Sequence, residues 1–141
     1  MERISFWLYE NRPWVSFELE RILLERVQLH AGGRVVTSLL TQDDLLRVGA
    51  QSGDLEGLVE KLRTISGVEA AALLREEGPG TWKVSLRSRG SIHVEAIARA
   101  RGGGGHKNAA GCRVYGTSTD VRAELAQQLE QLLETSERPD A

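Results

Sequence analysis

Five of the ten residues from Gly102 to Gly111 are glycine, four of them consecutive, and His106 and Lys107 follow the run directly. Ordering such a run costs much backbone entropy, so a fold keeps it where side chains would obstruct or where positive φ is needed. Close approach of backbone N–H groups to a phosphate is the chemical reading. Gly103, Gly104 and Gly105 would supply those groups, and His106 can donate one hydrogen bond when neutral and two when charged. The stretch from His106 through Asn108 to Ala110 is expected to open a short helix whose free N–H groups add to the anion site. The same run also reads as a flexible surface loop with an incidental histidine. Its place between two apolar segments, with small residues after it, favours packing, but composition alone leaves both readings open.

Arg87 is the second chemical element. It lies near the end of a segment, Thr81 to Ser88, that alternates apolar and polar residues, and strand ends are common ligand positions. A guanidinium presents a planar fork that can hold a phosphate through two parallel hydrogen bonds. Ser88 could add a hydroxyl, or serve as a cap or turn residue. Taken alone, Arg87 reads better as an exposed strand residue paired with an acid. His30 and His93 have no ligand spacing with His106 and read as surface or local hydrogen-bonding groups. Cys112 reads as a small buried residue, since no histidine stands in an obvious relation to it. Trp7, Trp14 and Trp82 could stack on a base, although core packing is the better reading of each. No metal-ligand spacing and no Walker-type loop is present.

These residues need a frame. Leu19, Ile22, Leu23 and Val27 make a helical stripe over 16–27, with Ser16 as its cap. Gln28 to Leu40 reads as a hairpin turning at Gly32-Gly33, with a strand from Arg34. Thr41 caps a short helix over Asp43 to Val48, ended by Gly49. A continuous helix is expected from about Asp54 to Ile65. Val68 to Arg75 is nearly all apolar, as in a strand buried on both faces. Gly78-Pro79-Gly80 turns the chain into Thr81–Ser88. A short helix over Val94 to Arg101 precedes the glycine run, Lys107-Asn108-Ala109-Ala110-Gly111-Cys112 follows it, and a strand then runs through Tyr115. A last helix covers about Thr119 to Glu134, capped by Ser118. Strands interleaved with helices, and two strands in an antiparallel hairpin, predict an α/β (α+β) domain: a mixed sheet flanked by helices.

The chain has 141 residues, 40% hydrophobic and 27% charged, which fits one globular domain and excludes wholesale disorder. One cysteine excludes an internal disulfide and fits a reducing compartment. The sequence shows no apolar run of membrane-spanning length and no signal-peptide pattern, so the expectation is a soluble, cytoplasmic chain without a membrane partner. The net charge is -2, yet Trp82 to Arg113 carries seven basic residues against one acid, Glu95. A basic cluster on an acidic chain fits a focused anion site better than a nucleic-acid-coating surface.

The blocks Lys83-Val84-Ser85-Leu86-Arg87-Ser88, Ile97-Ala98 and Gly102 to Cys112 resemble the DHH-associated domain of DHH-family phosphoesterases, above all the bacterial nano-RNase family (oligoribonuclease and pAp phosphatase). Asp54 to Val59 and Ile65 to Glu69 are also similar to that family, and the likeness covers most of 14–134. The glycine-histidine-alanine block is highly specific and weighs the glycine run toward a ligand role. The resemblance implies a substrate-binding domain over 14–134, an interdomain linker remnant over 1–13 and a disordered tail over 135–141. Arg87 would hold the terminal phosphate of a short nucleotide, and Gly103, Gly104, Gly105 and His106 would complete the anion pocket, with Ser88 and Asn108 as helpers. Partners would be short oligoribonucleotides or pAp, and a DHH domain in cis; self-association is left open.

The sequence lacks an Asp-His-His motif. Two manganese ions would therefore belong to a DHH domain outside this chain, with no cofactor, metal ligand or catalytic residue within it, and Met1 would start a separated domain or a truncated reading frame. The chain is then expected to bind and not to cut. Alternatives are the equivalent domain of a RecJ-like exonuclease or cyclic-dinucleotide phosphodiesterase, a tRNA-contacting module like that of alanyl-tRNA synthetases, or an interaction domain with an empty glycine loop.

Overall fold

A computed structural model of the chain describes residues 11–137. The elements in order are α1 (Trp14–Glu25), β1 (Gln28–His30), a 3-10 turn (Ala31–Gly33), β2 (Val35–Leu40), α2 (Gln42–Val48), a 3-10 turn (Ser52–Leu55), α3 (Leu58–Arg63), β3 (Ala70–Gly78), β4 (Thr81–Ser88), α4 (Glu95–Arg99), β5 (Gly104–His106), β6 (Ala109–Tyr115) and α5 (Ser118–Glu137). The strands form one six-stranded mixed sheet in the order β1-β2-β3-β4-β6-β5. Only the β2–β3 pair is parallel; the others are antiparallel. This is the expected mixed sheet flanked by helices.

Strand alternation divides the core in two. On one face Val35, Ala70, Ala72, Leu74, Trp82, Val84, Leu86, Ala110, Cys112 and Val114 pack under α4 and α5. On the other, Val36, Leu40, Ala71 and Leu73 pack under α1 and α3. β3 is buried on both faces from Ala70 to Leu74, which is why it reads as an unbroken apolar run. Thr41 and Asp44 form a reciprocal capping box at the start of α2, as its cap position predicts.

Several boundaries differ from expectation. The N-cap of α1 is Pro13, and the Ser16 hydroxyl donates back to the Pro13 carbonyl at 2.9 Å instead of capping. The helix expected over 54–65 is broken: Gly57 sits at φ 80, separating the 3-10 turn from α3. At α5 the cap is Thr117, whose Oγ1 accepts from the Asp120 N–H at 3.1 Å, so Ser118 lies inside the helix. Residues 135–137 continue that helix, and 138–141 lie outside the described residues, as do Trp7 and most of the expected 1–13 linker. Trp82 is core, but Trp14 is 75% exposed and contributes nothing to it.

Candidate functional site

The two strand faces are covered unequally. α1 and α3 cover β2 and β3 on the second face, α3 reaches the edge of β4, and no helix of the described chain continues on that face over β6 and β5. Register fixes what that open area presents, because directly opposed residues of antiparallel strands share a face. Arg87 opposes Ala109, which opposes His106. Two residues along, Ser85 opposes Gly111, which opposes Gly104. Arg87 and His106 therefore stand on the same face, two strand spacings or about 10 Å apart at the backbone. Between and beside them the floor is Ala109, Ser85, Gly111 and Gly104, with no side chain larger than a hydroxymethyl. Lys83 stands on the same face at the next position of β4.

The Arg87 guanidinium is held. Its Nε donates to Glu60 on α3 at 2.6 Å, and its Nη1 donates to the Leu86 carbonyl at 2.9 Å. The acid partner expected for an isolated strand arginine is thus present. Burial alone would raise the Glu60 carboxyl, but the hydrogen bond and charge of Arg87, with the charge of Arg63, hold it below its ordinary value. Nη2 has no acceptor among the described residues. Beside it a cleft of about 330 Å³ runs between α3 and the sheet, lined among others by Arg75, Lys83, Ser85, Arg87 and Glu60.

The glycine run is not a loop leading into a helix. Gly104–His106 is an edge strand, Lys107-Asn108 is a two-residue turn, and Ala109 starts β6. The helix expected to open at His106 is replaced by a hairpin, because the small residues on both strands let the backbones close together. A Cβ on Gly103 would lie 2.1 Å from the Gly111 carbonyl oxygen, and one on Gly105 would lie 2.5 Å from that of Ala109. Gly105 also adopts φ +146. Gly104 and Gly102 face open space, Gly102 at φ +77. Any N–H groups offered to an anion come from the unpaired outer side of an edge strand, not from a helix terminus.

Ser88 and Asn108 are elsewhere. Ser88 is 1% exposed on the opposite face from Arg87. Its hydroxyl donates to the Ile92 carbonyl and accepts from Asn108 Nδ2 at 3.0 Å. Asn108 Nδ2 also lies 3.1 Å from the Gly90 and Ile92 carbonyls. The pair fastens the loop between β4 and α4 to the hairpin turn, and so places His106 without facing the open floor.

The basic cluster disperses in three dimensions. Arg99 pairs with Glu95, Arg101 with Glu124 and Arg113 with Glu77, while Arg89 donates to the Val68 and Arg63 carbonyls. Among the described residues no three His, Cys, Asp or Glu side chains gather as a metal-binding set. No described helix is long and apolar enough to cross a membrane. His30 makes a local contact, Nε2 to Thr37 Oγ1 at 3.0 Å, and Cys112 is buried with its thiol pushed up by desolvation. Sequence reasoning did not single out Glu60, Ser85 or Lys83. The period-two alternation carries a signal for Ser85 and Lys83, which share the parity of Arg87; nothing local marks Glu60.

An open, partly basic sheet face floored by glycine and alanine belongs to a recognisable domain class. Residues 32–137 match the DHHA1 domain, and the chain belongs to that family. It is 37% identical over 113 residues to the bifunctional oligoribonuclease and PAP phosphatase NrnA of Thermus thermophilus, covering 80% of this chain and 33% of that protein. It is 30% identical over 130 residues to the protein of the same name from Bacillus subtilis, covering 92% of this chain and 40% of that one. Among solved structures, an exopolyphosphatase-related protein from Bacteroides fragilis superposes with a TM-score of 0.75 at 29% identity, over 95% of this chain and 38% of that one. The chain thus spans between a third and two fifths of the length of these relatives.

Proposed function

We propose that this chain is the phosphate-gripping half of a DHH-type phosphoesterase acting on short phosphorylated nucleotides such as oligoribonucleotides or pAp. In this reading Arg87 offers Nη2 to a terminal phosphate while Glu60 fixes the plane of the guanidinium. His106 supplies a second donor from across the floor, and of Gly103, Gly104 and Gly105 only Gly105 turns its N–H outward, since the Gly103 N–H donates to the Ala98 carbonyl at 2.9 Å and Gly104 pairs with β6. The bare floor of Ala109, Gly111, Gly104 and Ser85 leaves room for a nucleotide to lie against the sheet. Hydrolysis, and the two manganese ions it would use, would belong to a DHH domain in cis; the chain itself grips and does not cut. The observation that carries the reading is the register that puts Arg87, beside α3, and His106, on the open edge, on one face of the sheet with no bulky side chain between them.

Pairing of Arg99, Arg101 and Arg113 with acids favours a small ligand over a long strand. A long strand would require many phosphate contacts and give a steep salt dependence. The test is a metal-free calorimetric titration with pAp, a 5′-phosphorylated diribonucleotide and its dephosphorylated twin, repeated on Arg87→Ala. The phosphorylated ligands are expected to bind more tightly, and Arg87→Ala to remove the difference. Equal binding of the phosphorylated and dephosphorylated dinucleotides would refute the assignment.

A further inference from the structure

A second cavity lies on the other face of the sheet, away from Arg87, between the C-terminal end of α1, the β1–β2 hairpin and the first turns of α5. Its volume is about 630 Å³, within the range of small-molecule sites. Arg122 lines it and is 7% exposed. Burying a guanidinium is expensive unless a carboxylate or an equivalent anion accompanies it. Of the half-buried arginines, Arg26 pairs with Asp44, Arg34 with Glu69 and Arg101 with Glu124, while Arg63 and Arg75 have no carboxylate partner but are less buried than Arg122. Arg122 is the most deeply buried arginine of the described residues and also has none. Nη1 donates to the Arg26 carbonyl at 3.0 Å, and no carboxylate of the described residues lies within ion-pair distance. Burial, and after it the charge of Arg26, lowers its basicity. Of the two carboxylates on the cavity wall, Glu25 bonds Arg21 at 3.1 Å, and Glu130 stands near His30.

An independent feature meets the same cavity. Ser118 and Thr119, the first residues of the 20-residue α5, line it. Thr117 takes up the N–H groups of Asp120, through its Oγ1, and Val121, through its carbonyl. The N–H groups of Ser118 and Thr119 have no acceptor among the described residues. The positive end of a helix and a buried cation one turn along the same side thus converge on one space. Three N–H-rich groups on a concave wall match a tetrahedral dianion, and the guanidinium fork fits a phosphate bidentately.

We propose that this cavity binds the phosphate group of a small phosphorylated metabolite, with Arg122 and the Ser118 and Thr119 N–H groups as donors. The site is separate from the Arg87 face and its assignment does not rest on the substrate reading above.

The test is an NMR titration of the 141-residue chain with inorganic phosphate, and in parallel with acetate. Arg122→Gln, Ser118→Pro and Arg87→Ala are run beside the native chain. Phosphate is expected to move the Arg122 Nε–H and the Ser118 and Thr119 amides saturably, in the native chain and in Arg87→Ala alike. Arg122→Gln should weaken that response at least tenfold and leave any response at His106 intact. Ser118→Pro removes one donor at a helix position where proline is tolerated, and should weaken it several-fold. If these resonances stay still up to about 50 mM phosphate, a weaker range than ordinary ligand sites, the proposal is wrong. It is equally wrong if acetate moves them as strongly as phosphate, or if Arg122→Gln leaves the response unchanged. Movement confined to the Arg87 face refutes it while leaving the substrate reading standing.

Discussion

Alanine substituted in turn at Gly103, Gly104 and Gly105 separates glycines that packing demands from one that it does not. At Gly103 the new methyl would lie 2.1 Å from the Gly111 carbonyl oxygen and 2.8 Å from the Cys112 Cα, both backbone atoms. Ordinary contact begins at 3.4 Å, so β6 would have to retreat by about 1 Å against its pairing with β4. Overpacking of this kind costs roughly 3 kcal/mol. For a chain of this size that lowers Tm by about 10 °C. Gly105→Ala meets backbone at 2.5 Å and adds an unfavourable φ of +146, so its loss should be as large. Gly104 has nothing within 4 Å, and alanine there reduces unfolded-state entropy, so Tm should hold or rise by about 2 °C. The Gly104 methyl would instead stand on the open floor, where at least a fivefold loss of phosphorylated-nucleotide affinity is expected. Thermal unfolding followed by circular dichroism, with calorimetry for affinity, reads both quantities. A Gly103→Ala protein melting within about 2 °C of the native chain would refute the edge-strand packing, and a Gly104→Ala protein as unstable as Gly103→Ala would refute the reasoning from space.

Other outcomes follow from the same geometry. Glu60→Gln should keep an acceptor for Arg87 Nε but remove a negative charge about 6 Å from the phosphate position, worth roughly 0.7 kcal/mol in water-like surroundings; calorimetry should show about threefold tighter binding at low salt, and weaker binding would show that Glu60 orients more than it repels. Burial acts to raise the Asp44 carboxyl, but hydrogen bonds from Arg26 and from the Thr41 N–H and hydroxyl outweigh it and leave the group well below its ordinary value. Its stabilising contribution is therefore complete above about pH 4 and lost as pH falls further. Asp44→Asn should cost about 3 kcal/mol at neutral pH and flatten the acid limb of a urea-midpoint-against-pH curve; an unchanged acid limb would contradict this. Cys112 is buried with a raised thiol, so a disulfide reagent should label it only as fast as the chain opens, and rapid labelling of the native chain would contradict the packing of β6 under α5.

Much of the frame is legible without coordinates because its signals are local. The alternation in Thr81–Ser88 reports which residues face the core, and that parity alone puts Arg87, Ser85 and Lys83 together. The apolar run at Ala70–Leu74 reports a strand covered on both sides, and Thr41 reports its capping box. Local signals failed where two local answers were nearly equal in energy. Gly57 breaks a helix whose apolar stripe runs on through it, since a left-handed residue costs glycine little. The glycine run reads as a loop opening into a helix and is an edge strand instead for the same reason: glycine has no conformational preference to read, and the backbone of β6 decides the matter by offering a ladder that only residues without side chains can approach.

The site divides in the same way. The types that make it, a guanidinium on a strand end and a histidine after a glycine run, are written in the chain, and so is its membership of the DHHA1 family. Their common face is not, because it depends on a register counted through β6, and a shift of one residue would put His106 on the other side. Nor is the removal of Ser88 and Asn108 from that face, or the partnership of Arg87 with Glu60, 27 residues away. The burial of Arg122 without an acid is equally a product of packing, set by the meeting of α5 with the Arg26 carbonyl 96 residues earlier. Local propensity chooses elements one at a time; which polar groups are left facing each other, or facing nothing, is settled only when distant elements exclude water between them.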